Sequence, residues 1–222
     1  MRGTILVADD HPLFGQAIEA ILRQHKPDTP IQRAADVSTV HQLIGNSNEL
    51  AVVLLDLHMP GAIGFSTLCW IKGQQPKLPV IVISANTHPI TVRRAFDHGA
   101  AAFLGKSTDE HVMLETIEGV LQGEYGQAPH LEIAKQGESL AILDTADAIA
   151  TMTAQQMRVA SMLVEGQLNK QIAYELGVKE ATIKAHMTEI FKKLGVHSRT
   201  QAVLQLSKLL TDTNQDFAAP LA

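Results

Sequence analysis

Residues 51–61 read AVVLLDLHMPG: five apolar residues run into Asp56, and Met59, Pro60 and Gly61 close the segment with chain breakers. A run this short and this rich in valine and leucine is the pattern of a parallel strand buried on both faces. In open α/β sheets ligands bind outside the carboxyl ends of the strands, so a carboxylate placed there is aimed at a site and not at the core. Asp56 is therefore the residue around which the chain has to be explained.

Three other segments answer to it. Residues 4–8 (TILVA) make a short apolar strand that ends in Asp9 and Asp10 before His11 and Pro12 open a helix. Residues 80–83 make a third strand, ending at Ser84, and residues 101–104 a fourth, ending near Lys106. Three carboxylates at two strand ends are the oxygen donors that a hard cation requires, Mg²⁺ before others. With a hydroxyl and a lysine added, the set suits a phosphoryl group. A single Asp after a strand is ordinarily a turn residue and a single Lys is ordinarily solvated; the order and spacing of the whole set carry the reading.

The intervening segments are helical. Leu13, Ala17 and Ile21 run beside Phe14, Ile18 and Leu22, one apolar stripe over residues 12–25 behind a Pro in the first turn. Residues 31–35 are a short strand, Ser38 is expected to cap a helix through residue 44, and residues 45–48 turn into the central strand. Further helices are expected from Gly64 to about residue 74 and over 88–97 and 108–121. Five strands alternating with five helices define an α/β, doubly wound, five-stranded parallel sheet of the flavodoxin-like kind, over residues 1–121.

With 222 residues, 45% hydrophobic and 18% charged, the chain suffices for two modest domains and is not a disordered or fibrous one. No apolar run approaches the ~18 residues of a membrane span, so a cytoplasmic protein is expected. The lone Cys69, beside Trp70 and Ile71, reads as a packed core residue. The ten histidines show no ligand spacing, so no zinc site is expected.

Residues 122–152 turn polar and glycine-rich, with Glu124, Glu132, Glu138, Asp144 and Asp147 against Lys135, and read as a solvated linker. Thr153 with Gln156 forms a capping box that opens a helix. Helices over 168–176, 180–194 and 198–210, with Gly177 at a turn, describe a small all-α four-helix helix-turn-helix domain over 153–210. Residues 211–222 are read as a flexible tail.

In the third of these helices Ile183, Met187, Ile190 or Phe191, and Leu194 face inward, leaving Thr182, Lys184, Ala185, Thr188 and Lys192 outside. Small and basic side chains let a helix approach base edges in a major groove, and Asn169 and Lys170 on the preceding helix suit phosphate contacts. The whole chain carries −5, yet residues 153–208 hold eight basic and four acidic side chains, so overall acidity does not argue against nucleic acid.

Two resemblances join these readings. VADDHPLF, LLDLHMPG, VISA and GAAAFLGKS resemble the receiver domain of two-component response regulators. The resemblance implies that Asp56 accepts a phosphoryl group from a histidine kinase and that Mg²⁺ is held by Asp9, Asp10, Asp56 and the backbone carbonyl of His58. It also implies that Ser84 and Lys106 bind the phosphoryl group, with Phe103 as the aromatic partner of Ser84 in the switch. EGQLNKQIAYELGVKEATIKAHMTEIFKKLGVHSRTQAV resembles the LuxR-type DNA-binding domain of regulators of the NarL and FixJ kind. Departures from that pattern are Gln156 and Gln171 for acids, Lys179 for a capping serine and Glu189 for an asparagine.

The expected function is a phosphorylation-switched, non-enzymatic transcription regulator binding double-stranded DNA, with a kinase and RNA polymerase as partners and a homodimer when phosphorylated or DNA-bound. The receiver would act through pairing or by covering the recognition helix. The alternative is a signalling adaptor whose helical module binds protein. A phosphatase of the haloacid-dehalogenase kind needs an acid two residues after the nucleophile, where this chain has His58.

Overall fold

The computed structural model describes residues 3–46, 49–134 and 143–214. Strands β1 (Thr4–Ala8), β2 (Ile31–Ala34), β3 (Leu50–Asp56), β4 (Val80–Ser84) and β5 (Ala102–Gly105) form one parallel sheet of order β2-β1-β3-β4-β5. Helices α1 (Pro12–His25), α2 (Val37–Asn46), α3 (Ser66–Gln74), α4 (Pro89–Asp97) and α5 (Glu110–Leu121) connect and follow the strands. Apolar residues on one face of the sheet, among them Ile5, Val7, Leu54 and Ile83, pack with Ile18 and Leu22 of α1 and Ile117 of α5. Those on the other face, such as Leu6, Val53, Leu55 and Phe103, pack with α2, α3 and α4. Strands buried on both faces account for the unbroken apolar runs in the sequence.

The cap of α2 is Asp36 and not Ser38: Asp36 Oδ1 accepts from Thr39 N at 2.7 Å, and Thr39 Oγ1 donates to Asp36 Oδ2 at 3.2 Å. A carboxylate at that position satisfies both groups at once, which a serine hydroxyl two residues later cannot reach. The helix continues to Asn46, and residues 47–48 of the expected turn lie outside the described residues.

The segment after α5 follows the sheet. Gly126 N donates to Ala101 O at 2.7 Å and Phe103 N donates to Gln127 O at 2.9 Å, so it pairs with the outer edge of β5. An open strand edge presents unpaired amides and carbonyls, and these residues satisfy part of that row. Residues 135–142 of the expected linker lie outside the described residues, and residues 143–150 of it form a helix, α6 (Leu143–Ala150).

The four expected helices follow as α7 (Ala154–Val164), α8 (Asn169–Glu175), α9 (Glu180–Leu194) and α10 (Arg199–Asn214). The last runs four residues past the expected end at Leu210, into the span read as a tail; residues 215–222 are outside the described residues. Gly177, at φ +64° in the α8–α9 turn, and Gly195, at φ +65° where α9 stops, take left-handed conformations that favour glycine.

The helical module rests on the α2–α3–α4 side of the sheet domain, and the two share one continuous apolar core. Residues 66–71 of α3 are buried on every side, against the sheet and against α6. Trp70 Nε1 donates to Met152 O at 2.9 Å, and Ser161 Oγ donates to Gly61 O at 2.7 Å. At Gly73 the two helices come so close that a Cβ there would land on the Ala150 carbonyl.

Candidate functional site

The strand registers set the expected residues level with one another. Ala8 pairs with Leu55, Asp56 with Ile83 and Ser84 with Gly105, so Asp9, Asp56, Ser84 and Lys106 emerge at one edge of the sheet. Asp56 is 2% exposed and Asp9 4%. Lys106 Nζ stands between them, 2.7 Å from Asp56 Oδ2 and 2.8 Å from Asp9 Oδ2, and 5.0 Å from the centre of the Phe14 ring. Burial works to lower the Lys106 pKa, but the hydrogen bonds and charges of Asp56 and Asp9 outweigh it and raise the value above that of an ordinary lysine. Lys106 is therefore a fixed positive charge at neutral pH.

His58 N donates to Asp56 Oδ1 at 3.1 Å, which orients the carboxylate from the loop that follows it. Two contributors escaped the reading of the sequence. Phe14 was assigned only to the helix stripe, although it flanks Lys106. His11 was read as a helix opener, and it does precede Pro12 at the start of α1 without capping it. Its Nδ1 lies 3.2 Å from Asp9 Oδ1, 2.9 Å from Asp10 Oδ1 and 3.8 Å from Asp56 Oδ2. A histidine directly after an acid pair was the signal available.

The donors fit a divalent cation. Ligand atoms of Asp9, Asp10, His11 and Asp56 all lie within 4.8 Å of one another. Donors about 2.1 Å from one octahedral ion stand roughly 3 to 4 Å apart. Asp9 Oδ2, 2.8 Å from Lys106 Nζ, and Asp10 Oδ1, 2.9 Å from His11 Nδ1, are buried carboxylate oxygens that each keep a lone pair for an ion.

Ser84, fully buried, accepts through Oγ from Asn86 N at 3.1 Å, within its own loop. Phe103 is fully buried too, in the core on the α3 side of the sheet. The expected switch pair thus sits on neighbouring strands, Phe103 beside Val82 in the register.

On the module, Ile183, Met187, Ile190 and Leu194 are buried, and Thr182, Lys184, Ala185, Thr188 and Lys192 are exposed. Phe191, the alternative to Ile190 for the inner face, is half-buried. Lys184 Nζ pairs with Glu180 at 3.0 Å along the helix, and Thr188 Oγ1 donates to Lys184 O. Lys170 is exposed on α8, while the half-buried Asn169 accepts from Arg199 Nη1 at 3.4 Å, leaving its amide N–H₂ for another contact. Among the described residues the receiver does not cover this face: it holds the module through α6, α7 and α10 instead.

Two departures from the LuxR-type pattern are compensated in place. Gln156 Oε1 accepts from Thr153 N at 3.0 Å and from Lys193 Nζ at 2.7 Å, so an amide completes the capping box. Gln171 Oε1 likewise accepts from Leu168 N at 2.7 Å. Lys179 contributes no side-chain cap to α9.

An α/β domain with an acid-and-lysine pocket at its strand ends, joined to a helix-turn-helix module, defines a class of two-domain signalling proteins. Residues 5–118 match the family model "Response regulator receiver domain" and residues 150–206 match "Bacterial regulatory proteins, luxR family". The chain is 34% identical over 222 residues to a glycerol metabolism activator of Pseudomonas putida, covering 98% of each. It is 27% identical over 201 residues to the nitrate/nitrite response regulator protein NarP of Escherichia coli K12, covering 90% of this chain and 92% of that one. Among solved structures, RcsB of Salmonella enterica serovar Typhimurium, bound to promoter rprA with a phosphomimetic, shares the fold at a TM-score of 0.52 and 21% identity, over 94% of this chain and all of that one. The chain belongs to the response regulators that join a receiver domain to a LuxR-family DNA-binding domain, the regulators of transcription in two-component systems.

Proposed function

We propose that a histidine kinase transfers a phosphoryl group to Asp56 and that this controls the binding of α9 to double-stranded DNA. In this reading residues 1–121 are the receiver, 122–152 the connector and 153–210 the DNA-binding domain. The arrangement of Lys106 between Asp9 and Asp56, in a receiver packed on a module with an exposed basic helix face, carries the proposal. A carboxylate oxygen of Asp56 forms the new P–O bond as the bond from phosphorus to the donor nitrogen breaks. Lys106 already bonds Asp56 Oδ2 and moves with little cost to a phosphoryl oxygen. Asp9, Asp10, Asp56 and the His58 carbonyl would hold Mg²⁺, which when bound supplies positive charge to the transferring oxygens. Ser84 exchanges its bond with Asn86 N for a phosphoryl oxygen, and Phe103 follows toward the space it leaves.

On DNA, Thr182, Lys184, Ala185, Thr188 and Lys192 enter the major groove while Asn169 and Lys170 meet phosphates. One short helix reads few base pairs, so two modules on paired half-sites form the working unit, a homodimer. RNA polymerase is the partner that a transcription regulator addresses, and the site of action is the cytoplasm. The family assignment supports a regulator whose own chemistry is limited to accepting and losing the phosphoryl group.

Incubation with Mg²⁺ and acetyl phosphate tests the receiver assignment. One base-labile acyl phosphate per chain is expected, and none on Asp56→Asn; equal labelling of that variant would refute it.

A further inference from the structure

One imidazole nitrogen stands amid the acid cluster. His11 Nδ1 lies 3.2 Å from Asp9 Oδ1, 2.9 Å from Asp10 Oδ1, 3.8 Å from Asp56 Oδ2 and 3.2 Å from Lys106 Nζ. A ring nitrogen carries at most one proton, so it cannot donate to three carboxylates at once. The same distances fall in the range that separates donors around one octahedral ion, about 3 Å for adjacent positions and about 4 Å for opposite ones at a ligand distance near 2.1 Å. His11 N also donates to Asp9 Oδ1 at 2.7 Å, which fixes the backbone that carries the ring.

We propose that His11 Nδ1 is a direct ligand of the divalent cation held by Asp9, Asp10 and Asp56, so that His11 widens the margin by which this receiver favours a first-row transition ion such as Mn²⁺ or Co²⁺ over Mg²⁺. The inference rests on the phosphoacceptor reading of the pocket. Magnesium is a hard ion that favours carboxylate, carbonyl and water oxygens, whereas imidazole adds affinity for the later divalent ions. An oxygen-only pocket already binds those ions more tightly than Mg²⁺. The mark of the nitrogen is therefore the change on removing it. Lys106 must leave Nδ1 when an ion enters and keeps Asp56 Oδ2 as its partner.

The ring is 62% exposed and does not cap α1, so His11→Gln and His11→Ala are expected to fold. A second imidazole, His58, has its Nδ1 4.0 Å from Asp56 Oδ1 and requires its own control.

The test is pulsed electron paramagnetic resonance of one equivalent of Mn²⁺ on the full chain, alongside calorimetric titrations with Mg²⁺ and Co²⁺. Directly coupled ¹⁴N is expected in the wild type and in His58→Gln and absent in His11→Gln. His11→Ala should lose at least about tenfold in Co²⁺ affinity and less than about threefold in Mg²⁺ affinity, since about 1.4 kcal/mol corresponds to tenfold. A wild-type spectrum without coupled ¹⁴N, a ¹⁴N signal that survives His11→Gln, or equal losses for both ions would overturn the ligand assignment while leaving the phosphoacceptor reading intact. Failure of every divalent ion to bind in a manner sensitive to Asp10→Asn would overturn that reading as well.

Discussion

The acid-and-lysine pocket and the junction between the two domains are made of different materials. The pocket is polar: three carboxylates, a lysine and a serine at the carboxyl ends of β1, β3, β4 and β5, with distances of 2.7 to 2.8 Å between Lys106 and its acids. The junction is helix on helix, with Trp70, Ile71, Ile149, Met152 and Met157 in one core and few polar bonds across it. Chemistry demands particular residue types, so a pocket is specified by identity. Packing demands only volume and apolarity, so a junction is specified by shape. The two regions meet in the loop after Asp56, where Gly61 O accepts from Ser161 Oγ of α7.

Their independence can be broken most severely at Gly73. A branched side chain there would collide with backbone atoms of Ala150, and no flexible neighbour can yield. Gly73→Val should lever α6 off α3 at a cost of about 3 kcal/mol or more, read as a lower urea midpoint and new proteolytic cleavage within residues 143–150. Labelling of Asp56 by acetyl phosphate should persist. Its loss would show that pocket and junction fold as one unit.

Acid sharpens the comparison at the apolar side. Burial pushes both His41, which packs on Trp70 with ring centroids 4.0 Å apart, and His98, which packs on Phe65, down to a pKa of about 4; for His98, Asp97 opposes the shift and Arg94 adds to it. The folded state favours the neutral rings, so their contribution is complete above the unfolded value near 6.5 and is lost as pH falls toward 4. Each ring can remove up to about 3 kcal/mol over that span. The urea midpoint should fall between pH 7 and 4.5, and His41→Gln should flatten the slope. An unchanged slope in that variant would remove His41 from the account.

The smallest expected effect lies inside the module. Gln156 holds Thr153 N and Lys193 Nζ where LuxR-type sequences place an acid. Gln156→Glu keeps both bonds and adds charge, for a gain of about 0.5 kcal/mol, measured as a small rise in the midpoint of thermal unfolding. A loss would mean that desolvating the new carboxylate outweighs its pairing with Lys193.

The same contrast explains what the sequence disclosed. The acids and the lysine taken from the strand ends converge, because a carboxylate or lysine after an apolar run has one place to go in a parallel sheet, whereas the Ser84 hydroxyl stays within its own loop. The inner and outer faces of α9 were legible from its period. The junction was not: Trp70 and its neighbours read as core, which they are, and nothing in an apolar residue says whether it meets the sheet or another domain. A hint was present in STLCWI, residues 66–71, which has no polar face long enough for a helix exposed to water. The cap of α2 was misplaced because two polar residues compete near its start, and Asp36 satisfies two groups where Ser38 cannot.

The central claim is that a phosphoryl group on Asp56 governs DNA binding by α9. Duplex fragments selected from genomic DNA by the protein itself supply the probe, titrated with wild type and Asp56→Asn in the presence of Mg²⁺, with and without acetyl phosphate. The account predicts at least about a tenfold gain in affinity for the wild type, equivalent to about 1.4 kcal/mol, with a second-order dependence on protein concentration, and no gain for Asp56→Asn. Equal affinity with and without the phosphodonor, or an equal gain in the variant, would contradict it.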